Sequence, residues 1–301
     1  MSRLVWLAAS LFPTAAFAVV GGQDAAGGDW PDFVGVVGTS VGADPDCGGV
    51  LISPRWVLTS SVCGSSAVEV LAAMVDASTG QRIAVAQAHS HPNWLDSYDI
   101  GLLELAADAP SAGAQLALGC ALDGFVDGST VEVVGLGAID QWGKSWPDTL
   151  QEAALNVVDH DCSTPASGCT EAVAPGGEFI AGGDGVGPCY GDSGSPAYLR
   201  TAHGDYVVGI DSRGVSGASV PCGDGAILAR ADAVHDWIET TSGLDLDEPD
   251  CEIQGDTDDT DDTDDGDDPD DDCGCSAGPV GGGLVFGLVA LGLRRRRRTS
   301  S

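Results

Sequence analysis

Residues 47–63 read Cys-Gly-Gly-Val-Leu-Ile-Ser-Pro-Arg-Trp-Val-Leu-Thr-Ser-Ser-Val-Cys, and residues 189–196 read Cys-Tyr-Gly-Asp-Ser-Gly-Ser-Pro. Around them, from Val19 to about Leu228, short apolar runs are broken by Gly, Pro, Asp and Ser, and no long stretch has a helical period. Examples of these runs are residues 33–37, 50–52, 68–73, 131–136 and 206–210. Short strands at this spacing predict an all-β barrel or sandwich.

One helix is predicted, late in this region. Residues 231–240 place Val234, Trp237 and Ile238 at positions i, i+3 and i+4, which gives the segment one apolar face. The sequence therefore predicts a β-rich body closed by a single C-terminal helix.

The two quoted stretches resemble the signature blocks of the trypsin-like (chymotrypsin-fold) serine proteases, peptidase family S1. The resemblance implies two antiparallel six-stranded β-barrels over residues 19–242, with the active site in the cleft between them and a helix at the end. It implies no metal and no cofactor.

The catalytic positions follow from the same resemblance. Acyl transfer by a serine needs a base, a carboxylate that orients the base, and donors for the oxyanion. Ser193 matches the nucleophile, the N–H groups of Gly191 and Ser193 match the oxyanion hole, and Asp99, in Asp-Ile-Gly-Leu-Leu, matches the orienting carboxylate. The residue before the second cysteine of the first block is the catalytic histidine in the family, and here it is Val62.

The substrate cleft is also implied by the resemblance. Ser212, Arg213 and Gly214 match the edge that pairs with an extended peptide, and Arg213 replaces the usual tryptophan and adds a positive charge. Gly187, Gly214 and Ala226 match the floor and walls of the primary specificity pocket. Since the floor carries no Asp, we expect the pocket to prefer a small to medium apolar side chain over Lys or Arg.

The N-terminus predicts export. Arg3, an apolar run over residues 4–12 and Ala-Phe-Ala at 16–18 are typical of a signal peptide, residues 1–18; a short core helix is the alternative reading. Signal peptidase would then leave Val19 as the new terminus. By resemblance, the Val19 ammonium inserts beside Asp192 and orders the oxyanion loop.

Eight cysteines lie between positions 47 and 251, an even number typical of disulfides in an exported domain. The resemblance implies that Cys47 pairs with Cys63 and Cys189 with Cys222. Pairing of the other four stays open. Cys162 with Cys169 is one solution, and it would leave Cys120 for Cys251.

The charge excludes one class of partner. The chain carries a formal net charge of −34, and residues 19–244 hold 29 Asp and Glu against 6 Lys and Arg. Such a field repels phosphate backbones, so we expect no nucleic-acid partner.

The composition changes after Gly243. Residues 245–272 hold 17 acidic residues and no basic one, which predicts a solvated, disordered spacer over residues 243–272. Calcium binding is the alternative. It is disfavoured because Thr263 stands where an EF-hand loop ending at Gly266 needs an oxygen ligand and no Glu closes that loop.

The last segment, residues 273–301, consists of Cys-Gly-Cys-Ser, an apolar run over 277–293 and five arginines at 294–298. A helix over the run would be about 25 Å long, slightly short for a bilayer. The segment resembles myxobacterial C-terminal sorting tails (MYXO-CTERM), which implies a sorting protease and display on the bacterial cell surface. The alternative is a permanent membrane anchor, and in either case only the tail contacts the membrane.

Three functions fit these observations. The first is a surface-anchored pseudoprotease that binds a protein or peptide ligand in its cleft without efficient cleavage. The second is an active endopeptidase whose missing base comes from the substrate. The third is an adhesin or spacer in which the domain is only a stable head.

Overall fold

The computed structural model describes residues 19–251, except 39, 77, 164–166 and 170–175. The predicted signal peptide, most of the acidic spacer and the sorting tail lie outside the described residues. In the part of the chain that the structure describes, no helix has the length and hydropathy needed to span a bilayer.

The N-terminal half forms a closed antiparallel barrel of six strands in the order β2-β3-β4-β7-β6-β5. A two-residue strand, β1 (Gln23–Asp24), precedes it and pairs with the second barrel. The barrel strands are β2 (Phe33–Val37), β3 (Cys47–Ser53), β4 (Trp56–Thr59), β5 (Glu69–Ala72), β6 (Gln81–Ser90) and β7 (Gly101–Leu105). A one-turn helix, α1 (Ser61–Gly64), follows β4.

The C-terminal half forms a second antiparallel barrel, in which β8 pairs with both β9 and β11 and so closes the sheet β9-β10-β13-β12-β11-β8. Its strands are β8 (Thr130–Gly135), β9 (Gln151–Asp159), β10 (Glu178–Ala181), β11 (Pro196–Thr201), β12 (Gly204–Gly214) and β13 (Ala226–Arg230). The prediction of two six-stranded antiparallel barrels is confirmed.

The chain ends its described part with a helix. It begins as a 3-10 turn over Asp232–Val234 and continues as α2 (His235–Ser242), where the sequence predicts one helix over 231–240. Gly243 ends α2 in the left-handed conformation and its N–H donates to the Glu239 carbonyl (2.8 Å).

Three apolar clusters hold these elements together. One fills the first barrel, around Val57 and Leu103, and a second fills the other barrel, around Phe179 and Leu228. The third contains side chains of both barrels and Ile238 of α2. The two barrels are therefore joined by a packed apolar core.

Four disulfide bonds join Cys47 to Cys63, Cys120 to Cys251, Cys162 to Cys169 and Cys189 to Cys222. They include both pairs that the resemblance implies and settle the open pairing of the other four in the structure. The disulfide-rich fold fits an extracellular protein.

Candidate active site

The Ser193 loop spans both barrels. It leaves the Cys189–Cys222 disulfide, and its far end enters β11 of the second barrel. The Ser193 carbonyl accepts from the N–H of Gly48 in the first barrel (2.9 Å), and the Gly194 N–H donates to the Asp211 carbonyl of β12 (2.8 Å). The hydroxyl-bearing residue is thereby fixed at the seam between the barrels.

Gly191 is required by the shape of this loop. Its φ of +94° lies in the left-handed region, and a Cβ there would stand 2.6 Å from the Trp146 ring. Within the described residues, the N–H groups of Gly191 and Ser193 donate to no backbone or side-chain acceptor. Both donors are thus free to bind an oxyanion.

Asp99 lies just before β7 and is 6% exposed. One carboxylate oxygen accepts from the Ser212 hydroxyl (2.8 Å), and the other accepts from the Val62 N–H (3.3 Å). These two donors satisfy the carboxylate without an imidazole.

Val62 is presented by α1. The Ser60 hydroxyl caps this turn by accepting from the Cys63 N–H (3.3 Å), and the Ser61 hydroxyl ties it to the Ile100 carbonyl (2.6 Å). The Val62 side chain is 57% exposed. It points to solvent and has no packing role in the core.

The structure describes all five histidines of the chain, and none of them has a recorded contact with Asp99 or Ser193. His89 contacts Trp56, and His91 contacts Tyr98, Trp237 and the Asn93 N–H. His160 contacts Asp127, Asp161, Phe125 and Arg230. His203 contacts the Thr201 hydroxyl and Tyr206, and His235 contacts Asp236, Glu239 and Leu246.

A cavity of about 240 Å³ opens beside Ser193. Arg213, Gly214 and Ala226, which the sequence analysis assigned to the cleft, line it together with the Cys189–Cys222 bond. Ser212 faces Asp99 instead. Gly187 does not line the cavity; its N–H donates to the Val20 carbonyl (3.0 Å).

Arg213 does not bring a free positive charge to the cleft. Its guanidinium binds both carboxylate oxygens of the buried Glu178, at 2.7 and 2.9 Å, and the Gly168 carbonyl at 3.0 Å. The ion pair offsets the charge that the sequence analysis expected here. Glu178 also lies near Cys162 and Cys169, but their sulfurs are joined to each other, so this group is a poor metal site.

Asp211 is the residue that sequence reasoning missed. It lines the cavity beside Ser193, is 3% exposed, and directly precedes Ser212. The signal was an acidic residue ending an apolar run at 206–210 inside a strand. Burial raises the pKa of its carboxyl well above the usual range, with smaller contributions from Asp192 and Asp99.

The N-terminal residues lie against the Ser193 loop. Val19 and Asp192 are both fully buried, and Val20 bridges to Gly187. The Asp192 carboxylate accepts from the N–H groups of Gly137 (2.8 Å) and Cys189 (2.9 Å). Burial nevertheless raises the pKa of Asp192 to about 7.

Comparison with known proteins agrees with this geometry. The Trypsin family matches residues 19–238. Trypsin 5G1 of Aedes aegypti is 30% identical over 239 residues, which cover 75% of this chain and 85% of that protein. The solved structure of neuropsin, described as a serine protease expressed in the limbic system of mouse brain, is 26% identical with a TM-score of 0.62, covering 74% of this chain and all of that one.

Proposed function

Since this chain belongs to the trypsin family of serine proteases, we propose that it is a pseudoprotease: an exported, surface-anchored member that binds a protein or peptide in its cleft and cleaves it poorly or not at all. The observation that carries the proposal is the Asp99 carboxylate. Its two recorded partners are the Val62 N–H and the Ser212 hydroxyl, and no histidine has a recorded contact with it.

The missing base decides between binding and catalysis. A serine hydroxyl at neutral pH needs a base to accept its proton, and removing the histidine of such a triad lowers turnover on the order of a millionfold, or about 8 kcal/mol. Valine can accept no proton. The loss of about a millionfold already assumes an intact oxyanion hole, so the free N–H donors at Gly191 and Ser193 do not recover it; they support only a residual rate, about 10³–10⁴-fold over water.

The strand beside the cleft supports peptide binding. β12 pairs with β11 only as far as Ile210, and beyond it the segment Ser212 to Gly214 pairs on one side, with β13. Its other edge is therefore available to an extended peptide, which could add as a further strand. The cavity next to Ser193 would receive one side chain of that peptide.

Cleavage after Ala18 is supported by Val19. Its φ of +47° is a strained conformation for a β-branched residue that is linked to a preceding one. Once Val19 is the first residue it has no φ to strain, and its ammonium can reach Asp192 without backbone cost. Export with signal-peptide removal, followed by attachment through residues 273–301, remains our proposal for the location.

Two other functions lead to different results. An active endopeptidase would need a base from its substrate, in the space beside Val62. An adhesin or spacer would be indifferent to the cleft, so blocking the cleft would change nothing.

The test is hydrolysis of peptide libraries by the full exported protein and by its Val62→His variant. We expect no turnover above background from the unmodified protein and measurable turnover from Val62→His, because the new imidazole would enter between Asp99 and Ser193. Val62→Ala is the matched control, which removes the valine without adding a base. Ser193→Ala in the Val62→His background should abolish the gain.

Robust turnover by the unmodified protein, lost in Ser193→Ala, would overturn the proposal in favour of catalysis with a substrate-supplied base. Labelling with a serine-directed phosphonate gives a second readout. We expect slow or absent labelling of Ser193 in the unmodified protein and faster labelling in Val62→His.

A further inference from the structure

The last described residues, 244–251, follow α2, and we call them the terminal strap. Cys251, at the end of the strap, is joined to Cys120, which lies in a 3-10 turn over Gly119–Leu122. The acidic segment and the tail that the sequence analysis assigned to sorting both come after Cys251 in the chain. Among the described residues, this disulfide is therefore the last tie between the two-barrel head and the part of the chain that leads to the anchor.

Noncovalent contacts hold the first half of the strap. Leu244 and Leu246 are partly buried against the apolar cluster that both barrels share. The Leu246 N–H donates to the Glu239 carboxylate (2.9 Å), and the Leu246 carbonyl lies 3.3 Å from Nε2 of His235. The strap is thus fixed at two places, by these contacts at Leu246 and by the covalent bond at Cys251.

The sulfurs of this disulfide are the most accessible of the four in the described chain. Cys120 and Cys251 are both half-buried, whereas each of the other three disulfides has at least one cysteine that is 8% exposed or less. Both residues also line a cavity of about 630 Å³ on the second barrel, next to β8 and β11. Since thiol–disulfide exchange requires a thiolate to reach a sulfur, a small thiol that enters this cavity meets the bond directly.

The strap also makes this disulfide the least secured by the fold. After reduction, Cys189 and Cys222 would stay side by side, because both are buried in the packed body of the domain. Cys251 would not, because it sits at the end of a strap whose nearest backbone anchor is at Leu246. The effective concentration of one thiol at the other is therefore lower for Cys120 and Cys251, which favours the open form.

We propose that the Cys120–Cys251 disulfide is a site of thiol–disulfide exchange, opened by a small dithiol, and that its opening releases residues 247–251 from the head. One thiolate of the dithiol attacks a sulfur of the bond, and the other sulfur leaves as a thiolate and takes up a proton. The second thiol of the reductant then resolves the mixed disulfide. The reductant ends as a cyclic disulfide, and Cys120 and Cys251 have together gained two electrons and two protons.

The opening changes the reach of the head. Five residues, 247–251, would be added to the free chain between the head and the anchor. At about 3.3–3.6 Å per extended residue this is up to about 17 Å. The proposal goes beyond the peptide-binding role of the cleft and uses the surface attachment proposed above only for this consequence.

The first test needs no variant. Thiols already present in the full exported protein are blocked, the folded protein is treated with increasing dithiothreitol, and the new thiols are alkylated and located by peptide mass spectrometry. We expect Cys120 and Cys251 to be alkylated at least about 10-fold faster than any cysteine of the other three disulfides. Opening of another disulfide first, or equal rates for all four, would overturn the proposal.

The second test measures the release of the strap by hydrogen exchange. We expect the amides of residues 247–251 to exchange at least about 10-fold faster in the reduced protein, and in a Cys120→Ser, Cys251→Ser variant, while β8 and β11 keep their protection. The matched control is Cys162→Ser with Cys169→Ser, which removes a buried disulfide remote in sequence from the strap and should leave the exchange of 247–251 unchanged. Unchanged exchange of 247–251 after reduction of Cys120–Cys251 would refute the release.

Discussion

Val19 and Asp192 are both fully buried, and the proposed ion pair between the Val19 ammonium and the Asp192 carboxylate makes one prediction with a magnitude. The perturbation is a single extra residue: a protein that retains Ala18 is compared with one that begins at Val19. With Ala18 in place the Val19 nitrogen is an amide, so Asp192 has no ammonium beside it. The carboxylate then keeps only the N–H groups of Gly137 and Cys189 as donors.

The magnitude follows from the pKa of Asp192, which burial raises from 3.8 to about 7 in the continuous chain. The folded state holds this proton more tightly than the unfolded state does. The contribution of Asp192 to stability is therefore complete below pH 3.8 and is lost as the pH rises through 7, with the full loss reached above pH 7. About 3 units at 1.36 kcal/mol each gives a loss of about 4 kcal/mol in the extended protein.

Denaturant unfolding at pH 4 and pH 7 measures this loss. Other carboxyl groups titrate alike in both proteins, so the difference between the two proteins isolates Asp192. Between pH 4 and pH 7 we expect the extended protein to lose about 3 kcal/mol more than the Val19 protein, because Asp192 is half ionised at pH 7 in the extended protein and a free ammonium offsets the buried charge in the Val19 protein. Asp192→Asn in the extended protein should remove the excess loss. If both proteins lose the same free energy to within about 1 kcal/mol, the ammonium does not reach Asp192 and the reasoning is refuted.

Two further predictions concern the ends of the domain. Replacing Cys120 and Cys251 by Ser opens a loop with a sequence separation of 131 and should lower the free energy of unfolding by about 5 kcal/mol. Replacing Cys162 and Cys169, whose separation is 7, should lower it by about 2.5 kcal/mol. Equal losses of the two variants in chemical denaturation would contradict this account. Deleting residues 273–301 should release the folded head into the medium, and identical fractionation of the truncated and complete proteins would rule out the anchor.

The strands could be predicted from the sequence because each corresponds to a local run of apolar residues. β2 has the predicted bounds, and the predicted runs at 50–52, 68–73 and 131–136 fall on β3, β5 and β8. The type of helix was harder to predict from the sequence. An i, i+3 spacing suits a 3-10 turn as well as an α-helix, and the chain forms both between Asp232 and Ser242.

The residues of the candidate site could be predicted from the sequence only where the resemblance to a known family assigned them. The ion pair of Arg213 with Glu178 joins positions 35 apart, and no local pattern announces it. Asp211 illustrates the same limit, because the side of a strand that faces a cavity depends on bulges, and β12 has one between Asp211 and Arg213. Charge at a site is thus the sum of groups that only the fold brings together.

The contact of the Ser193 loop with the first barrel has a consequence for how the motif is interpreted in genomes. A Cβ on Gly48 would lie 2.2 Å from the Ser195 hydroxyl, and one on Gly194 would lie 2.2 Å from the Thr59 hydroxyl, so the two barrels interlock through residues of the Gly-Asp-Ser-Gly-Ser segment. The segment therefore holds the two barrels together in addition to presenting the nucleophile. Selection for a stable two-barrel protein alone would keep this segment intact after hydrolysis was lost. Its presence in a sequence therefore indicates the two-barrel fold and does not by itself indicate catalytic activity.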